Sequence, residues 1–172
     1  MAEVFRPHWA TAEDELTGLG YDRLLREPPD RDFMVEGTFM RGTVGLVAGD
    51  GGIGKSLLMQ QLASCAVLGL PWLGMHVQAG RALYLGCEDD GAELHRRQWA
   101  ITRSLGRDMA DVLDAGLDLI PRVGQDNVLM RLMRPAWKME RTSLMDKLVT
   151  RCRRTGVQYV IVDTATQTFA GN

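Results

Sequence analysis

Apolar and polar residues alternate along this chain in blocks that predict strands and helices in turn. Short apolar runs end abruptly in glycine, proline or acidic residues, as the buried strands of a parallel sheet do. These runs lie at 43–48, 81–87, 117–120 and 157–162. Segments with a helical repeat of apolar positions separate them, at 55–68, 90–105 and 140–155. The alternation predicts an α/β fold in which a mainly parallel sheet is covered by helices on both faces.

The rest of the chain carries weaker patterns. Residues 1–31 are mixed and polar and contain three prolines, so we expect a partly flexible N-terminal extension with a short helix at 12–26. Residues 32–37 predict an edge strand, and 124–138 predict a loop because no period is evident. The predicted domains are therefore the extension at 1–31 and one globular domain at 32–172.

Eight residues that join the predicted strand at 43–48 to the predicted helix at 55–68, and that include the first two residues of this helix, fit the pattern G-x-x-x-x-G-K-[ST] at every fixed position. They are Gly49, Asp50, Gly51, Gly52, Ile53, Gly54, Lys55 and Ser56, followed by Leu57. The glycines let successive backbone N–H groups form a cradle for phosphate oxygens. Lys55 would reach the β- and γ-phosphates, and the Ser56 hydroxyl would hold Mg²⁺. A glycine-rich turn that binds nothing is the alternative, and the flanking strand and helix disfavour it.

Asp163 directly follows the apolar residues 159–162, which is the Walker B pattern. Ligands of parallel sheets bind at the carboxyl ends of the strands, where the phosphate loop also lies. A carboxylate at that position can orient the shell of Mg²⁺ opposite Ser56, directly or through water.

Glu88 ends the second predicted strand and is the candidate general base. Hydrolysis needs a water oriented in line with the γ-phosphate, and a strand-end carboxylate beside the phosphate loop can provide that. The alternative is that Glu88, Asp89 and Asp90 only cap the following helix. Thr164, rather than an acidic residue, follows Asp163, and this favours Glu88 as the base.

Composition restricts the class of protein further. The chain has 172 residues, 45% of them hydrophobic, and a net charge of -2. No global positive field therefore points to nucleic acid, although a local patch could bind it. No apolar run reaches the length of a membrane span, and the widely spaced cysteines fit reduced thiols, so we expect a cytoplasmic protein without a membrane segment. The cluster 95–97 is predicted to lie on a solvated face, with a DNA or subunit contact as the alternative. Trp72, Trp99 and Trp137 are predicted to be packing groups rather than base-stacking platforms.

Three segments carry a family resemblance. The segments 42–56 (GTVGLVAGDGGIGKS), 83–89 (LYLGCED) and 160–164 (VIVDT) occur in this order, with similar spacing, in RecA-like ATPases. They look most like the RepA-type replicative helicases of plasmids and the related AAA-family ATPases of phages and bacterial genomes. The resemblance covers residues 32–172 and implies a RecA-like P-loop core.

In the resembled family, ATP hydrolysis in a ring, usually a hexamer, drives movement on single-stranded DNA. The resemblance implies that Lys55 and Ser56 hold phosphate and Mg²⁺, that Glu88 activates water and that Asp163 supports the metal. Such proteins continue with a γ-phosphate sensor, DNA-binding loops and an arginine finger, whereas this chain stops soon after the Walker B strand. We therefore expect a truncated core. A nucleotide-binding regulatory or remnant module without turnover, and a RecA-like DNA-repair ATPase without helicase activity, stay open as alternatives.

Overall fold

The computed structural model describes residues 19–171. The helices are α1 (Tyr21–Leu24), α2 (Lys55–Leu68), α3 (Gly91–Ser104), α4 (Met109–Asp114) and α5 (Ser143–Thr155). The strands are β1 (Phe33–Val35), β2 (Phe39–Met40), β3 (Ala82–Gly86), β4 (Leu117–Pro121), β5 (Met130–Met133), β6 (Lys138–Arg141), β7 (Tyr159–Asp163) and β8 (Phe169–Gly171). The chain divides into two compact units after Asp32. The unit that begins at Phe33 contains all the strands and is described by itself.

The central sheet has the order β4–β3–β7, and both strand pairs are parallel. Its register places Gly86, the last residue of β3, opposite Pro121 of β4 and Asp163 of β7. The carboxyl ends of all three strands are therefore level, and the residues that follow them emerge at one edge. The predicted α/β class with a mainly parallel sheet is confirmed.

Side chains of β3 alternate between the two faces of this sheet, as the two-residue period of a strand requires. Ala82 and Tyr84 pack in a core cluster with α2 and with residues of α3 and α4. Leu83 and Leu85 belong to a second cluster, which includes Leu148 of α5. Helices thus cover both faces, as predicted, and β3 is buried along its whole length.

A buried polar network joins α2 to α3. Gln60 Nε2 donates to Gln98 Oε1 at 3.0 Å and to the Leu94 carbonyl at 3.0 Å. Gln98 Nε2 donates in turn to the hydroxyls of Ser64, at 2.9 Å, and Thr102, at 3.1 Å. Hydrogen bonds of this kind offset the cost of burying amide groups, which would otherwise favour solvent.

The helix ends follow capping chemistry. The predicted helix at 55–68 is confirmed, and α3 begins after Asp90, whose carboxylate accepts from the Glu93 backbone N–H at 2.8 Å. Helix α5 begins at Ser143, three residues later than predicted, because Thr142 caps it by accepting from Met145 N at 3.3 Å. The residues before this cap belong to β6 instead.

The predicted strand at 43–48 is wrong. This segment forms no strand in the described part of the chain, and Val44 and Leu46 are 100% and 78% exposed. An apolar run becomes a buried strand only where a neighbouring strand can pair its backbone groups. Here the segment passes the ring of Phe39 so closely at Gly45 that a Cβ there would collide with the ring. β7 is consequently an edge strand of the central sheet in residues 19–171.

The predicted loop at 124–138 is also wrong, because it contains β5 and leads into β6. These two strands form an antiparallel hairpin, and β8 pairs with β5 in parallel, which gives a second sheet of order β6–β5–β8. All four residues of β6 are exposed. No alternation of apolar and polar positions marks such a strand, and the sequence pattern therefore misses it.

The N-terminal predictions fall partly outside the described residues. Of the helix predicted at 12–26, residues 12–18 are not described, and α1 accounts for four of the others. The edge strand predicted at 32–37 is found as β1, which pairs antiparallel with β2. The division into an extension at 1–31 and a domain at 32–172 stays a prediction. Across residues 19–171, no helix combines the length and the apolar character that a bilayer crossing needs.

Candidate functional site

The loop that joins Gly49 to α2 contains two glycines with positive φ, a conformation that a phosphate cradle commonly uses. Gly52 and Gly54 adopt φ values of +78° and +91°, which residues with a side chain rarely adopt. Helix α2 begins immediately after Gly54 and has no side-chain cap at its N-terminus. Its first backbone N–H groups are therefore not satisfied by a capping side chain, and they lie at the positive end of the helix dipole. This arrangement suits an anion.

Lys55 lies against the loop that precedes it. Its ammonium donates to the carbonyl oxygens of Gly49, at 2.8 Å, and Asp50, at 2.6 Å. The positive charge is thus held at the loop rather than extended into solvent. Ile53 and Leu57 are exposed beside it and line an apolar cavity of about 540 Å³ together with Leu58 and residues of α3.

Ser56 and Asp163 lie beside the same tyrosine hydroxyl. Tyr84 Oη is 2.5 Å from Asp163 Oδ2 and 3.4 Å from the backbone carbonyl of Ser56. These residues come from the start of α2, the middle of β3 and the end of β7. The backbone of Ser56 is therefore close to the Asp163 carboxylate, and the parallel register of β3 and β7 explains the contact between Tyr84 and Asp163.

Glu88 emerges next to Asp163. The backbone N–H of Cys87 donates to the Asp163 carbonyl at 2.6 Å, which extends the pairing of the two strands by one residue. Glu88 follows directly and is exposed. Within residues 19–171 its carboxylate has no hydrogen-bond or ion-pair partner, so the oxygens are open to water.

The three acidic residues after β3 have three different surroundings. Asp90 caps α3, as described above, and Asp89 Oδ2 forms an ion pair with Arg97 Nη1 at 2.8 Å. The side chain of Arg97 is only 15% exposed, so the prediction that the cluster 95–97 is solvated is wrong for this residue. Burial lowers the pKa of Arg97, but the hydrogen bond and charge of Asp89 outweigh it and raise the pKa overall. The Asp90 carboxylate thus serves as a helix cap and the Asp89 carboxylate as an ion-pair partner, whereas the Glu88 carboxylate has neither of these structural roles.

Sequence reasoning missed Tyr84. Burial and, after it, the hydrogen bond to Asp163 raise the pKa of its phenol, so the hydroxyl keeps its proton at neutral pH. An aromatic hydroxyl in an otherwise aliphatic buried strand was a signal that could have identified it, because a buried hydroxyl needs a partner.

The donor set fits a magnesium ion. A serine hydroxyl and a carboxylate are hard oxygen ligands, and Mg²⁺ is commonly held by one or two such groups together with substrate phosphates and water. In the described part of the chain, no group of three or more His, Cys, Asp and Glu side chains could hold a metal alone. Ser56 and Asp163 are therefore suited to share Mg²⁺ with a nucleotide rather than to enclose it.

A protein-family model described as an AAA domain matches residues 11–172, which is most of the chain. The match agrees with the phosphate loop, with the carboxylates at the ends of β3 and β7, and with the parallel central sheet. The chain therefore belongs to the AAA domain family and is a nucleotide-binding P-loop ATPase.

Proposed function

We propose that this protein hydrolyses ATP with Mg²⁺ at the edge of the central sheet, in a role linked to DNA unwinding or replication. The observation that carries the proposal is that the Asp163 carboxylate and the backbone of Ser56 both lie at the Tyr84 hydroxyl, while Glu88 follows Cys87, whose backbone pairs with Asp163. A phosphate cradle, oxygen ligands and an unpaired carboxylate are the groups that phosphoryl transfer to water requires.

Each residue has one role in this proposal. The backbone N–H groups of the loop and Lys55 bind the phosphates and offset their charge. Ser56 and Asp163 would hold Mg²⁺, which would supply positive charge to the phosphates. Glu88 orients the attacking water and accepts its proton, because its oxygens are exposed and have no other partner in residues 19–171.

Single-stranded DNA is the proposed polymer partner. The β5–β6 hairpin supports it, because four of its side chains are cationic and one is acidic, in a chain whose net charge is -2. At its tip, Trp137 is 66% exposed, and the Arg134 guanidinium lies over its ring at 4.9 Å. Exposed aromatic rings and cations together bind unpaired bases and phosphates. Trp137 is therefore not the packing group that the sequence predicted.

The proposal extends to assembly and location. The resemblance to RepA-type helicases favours a homo-oligomeric ring, a hexamer in that family, and a cytoplasmic protein. Two alternative functions would use the same nucleotide-binding site. One is a regulatory or remnant module that binds nucleotide without turnover, and the other is a RecA-like DNA-repair ATPase without helicase activity.

The first experiment measures Mg²⁺-dependent binding and hydrolysis of ATP by the wild-type protein, Lys55→Ala and Glu88→Gln, with and without single-stranded DNA. We expect Lys55→Ala to lose nucleotide binding. Glu88→Gln should bind nucleotide but hydrolyse it about 100-fold more slowly or worse, as loss of a general base typically causes. Glu36→Gln, an exposed glutamate beside β1, is the matched control and should leave the rate unchanged.

Each alternative gives a different result. Binding without turnover in the wild-type protein would favour the regulatory module. Turnover that single-stranded DNA stimulates, without strand separation, would favour the repair-type ATPase. Undiminished hydrolysis by Glu88→Gln would exclude Glu88 as the base.

A further inference from the structure

Tyr84 reaches the candidate magnesium site from within the core. It lies on β3, the central strand of the sheet, and its residue surface is fully buried. Its ring packs in the cluster formed with α2, α3 and α4, while its hydroxyl lies 2.5 Å from Asp163 Oδ2. The position of the hydroxyl is thus set by a strand that is buried along its whole length.

The hydrogen bond has one possible direction. A phenol carries one proton, and the short contact with the Asp163 carboxylate, which is an acceptor, takes it. The Ser56 carbonyl at 3.4 Å cannot donate, so that contact is one of packing. In residues 19–171, the other carboxylate oxygen of Asp163, Oδ1, accepts no hydrogen bond. Tyr84 therefore engages one oxygen and leaves the other open.

A carboxylate held in this way has lost rotational freedom before a ligand arrives. Groups that hydrogen-bond a metal ligand orient it and raise affinity, and their removal typically lowers metal affinity about 10- to 100-fold. The Tyr84 hydroxyl also lies 3.4 Å from the backbone carbonyl of Ser56, so the first turn of α2 is close to the Asp163 carboxylate.

We propose that Tyr84 is a positioning residue that orients Asp163 toward the Mg²⁺–nucleotide complex. The inference rests on the proposed function, because it assigns Asp163 to the metal. It assigns no chemical step to Tyr84, which acts only through the carboxylate.

The test compares Tyr84→Phe with Tyr159→Phe. Tyr159 is the matched control, because it is a buried tyrosine on the adjacent strand whose hydroxyl donates to the carbonyls of Met34, at 2.9 Å, and Gln78, at 2.6 Å. The measurement is binding of a fluorescent ATP analogue as Mg²⁺ is titrated, with a parallel series in EDTA. Tyr84→Phe should raise the apparent Kd for Mg²⁺ about 10-fold or more and leave binding in EDTA unchanged. Tyr159→Phe should lower Tm without changing the magnesium titration.

The outcomes separate this inference from the proposed function. Nucleotide binding by the wild-type protein that does not respond to Mg²⁺ would contradict both. A magnesium response in the wild-type protein that Tyr84→Phe retains in full would overturn the role of Tyr84 alone. Equal shifts of the titration in both variants would also overturn it, since a general loss of packing would then explain the effect.

A second measurement keeps the tyrosine hydroxyl in place and therefore does not require the variant Tyr84→Phe to fold. 3-Fluorotyrosine placed at position 84 or at position 159 retains the hydroxyl and reports its surroundings by fluorine NMR. Addition of Mg²⁺ to the nucleotide-saturated protein should shift the resonance of the label at position 84 and leave that at 159 unchanged. An unmoved resonance at position 84 would overturn the proposal.

Discussion

The two three-stranded sheets of this protein are built from strands of similar length, but their surroundings differ. In the central sheet β4–β3–β7, β3 is buried on both faces, and the strands end at the candidate site. In the second sheet β6–β5–β8, every residue of β6 is exposed and β5 is at most partly buried. One sheet therefore holds groups in fixed positions, whereas the other presents side chains to solvent. Changes in the first should affect stability, and changes in the second should affect contacts with partners.

The largest difference in the free energy of unfolding should come from truncating one apolar side chain in each of the two sheets. Leu83→Ala removes a fully buried side chain of β3 and should lower the free energy of unfolding by about 2–5 kcal/mol. Met133→Ala in β5, a residue that is 41% exposed, should cost less than about 1 kcal/mol. Urea unfolding monitored by circular dichroism measures both. Equal losses would show that the second sheet is packed as tightly as the first.

A smaller effect on the free energy of unfolding is expected from a change in the buried polar network that joins α2 to α3. Gln98→Leu removes one acceptor of the Gln60 amide and the amide that donates to Ser64, and it should lower the free energy of unfolding by about 1–3 kcal/mol. Gln125→Leu, in an exposed turn, is the same substitution outside the network and should change it by less than about 0.5 kcal/mol. The difference between the two urea midpoints is the informative quantity. Coincident midpoints would mean that the network contributes no net stability.

The smallest effect on stability is expected at the tip of the hairpin. Trp137→Ala should change the free energy of unfolding by less than about 0.5 kcal/mol, because the ring is mostly exposed. It should nevertheless weaken binding of single-stranded DNA by about 1–3 kcal/mol if a base stacks on it. Trp99→Ala, an exposed tryptophan on α3, is the control and should not weaken that binding. Fluorescence anisotropy with a labelled oligonucleotide measures both affinities. Equal losses of affinity in the two variants would contradict a specific role of the hairpin in binding DNA.

The central sheet and its helices could be predicted from the sequence because the signals are local. Gly69, with φ +62°, ends α2, and Asp90 starts α3, both at positions that the sequence marks. The apolar runs of β3 and β7 each end in a carboxylate, and parallel pairing then brings those ends together. The candidate phosphate loop, Glu88 and Asp163 could accordingly be proposed from residue types and spacing.

What the sequence could not predict depends on contacts between distant residues. Strand β6 is exposed and β5 is at most partly buried, so burial leaves no periodic pattern in the hairpin. The segment at 43–48 is apolar, yet no pattern in the sequence states whether a neighbouring strand is available to it. Tyr84 and Asp163 are 79 positions apart, and only the register of β3 against β7 brings the hydroxyl to the carboxylate.

The amide network between α2 and α3 also has a mechanical consequence. One of these helices begins at the phosphate loop and the other begins two residues after Asp89, and the network clamps them at mid-length. Two elements joined by several buried hydrogen bonds shift as one rigid body rather than slide past each other. A displacement of the first helix would therefore be transmitted to the second helix and to the turn before it, which carries Glu88.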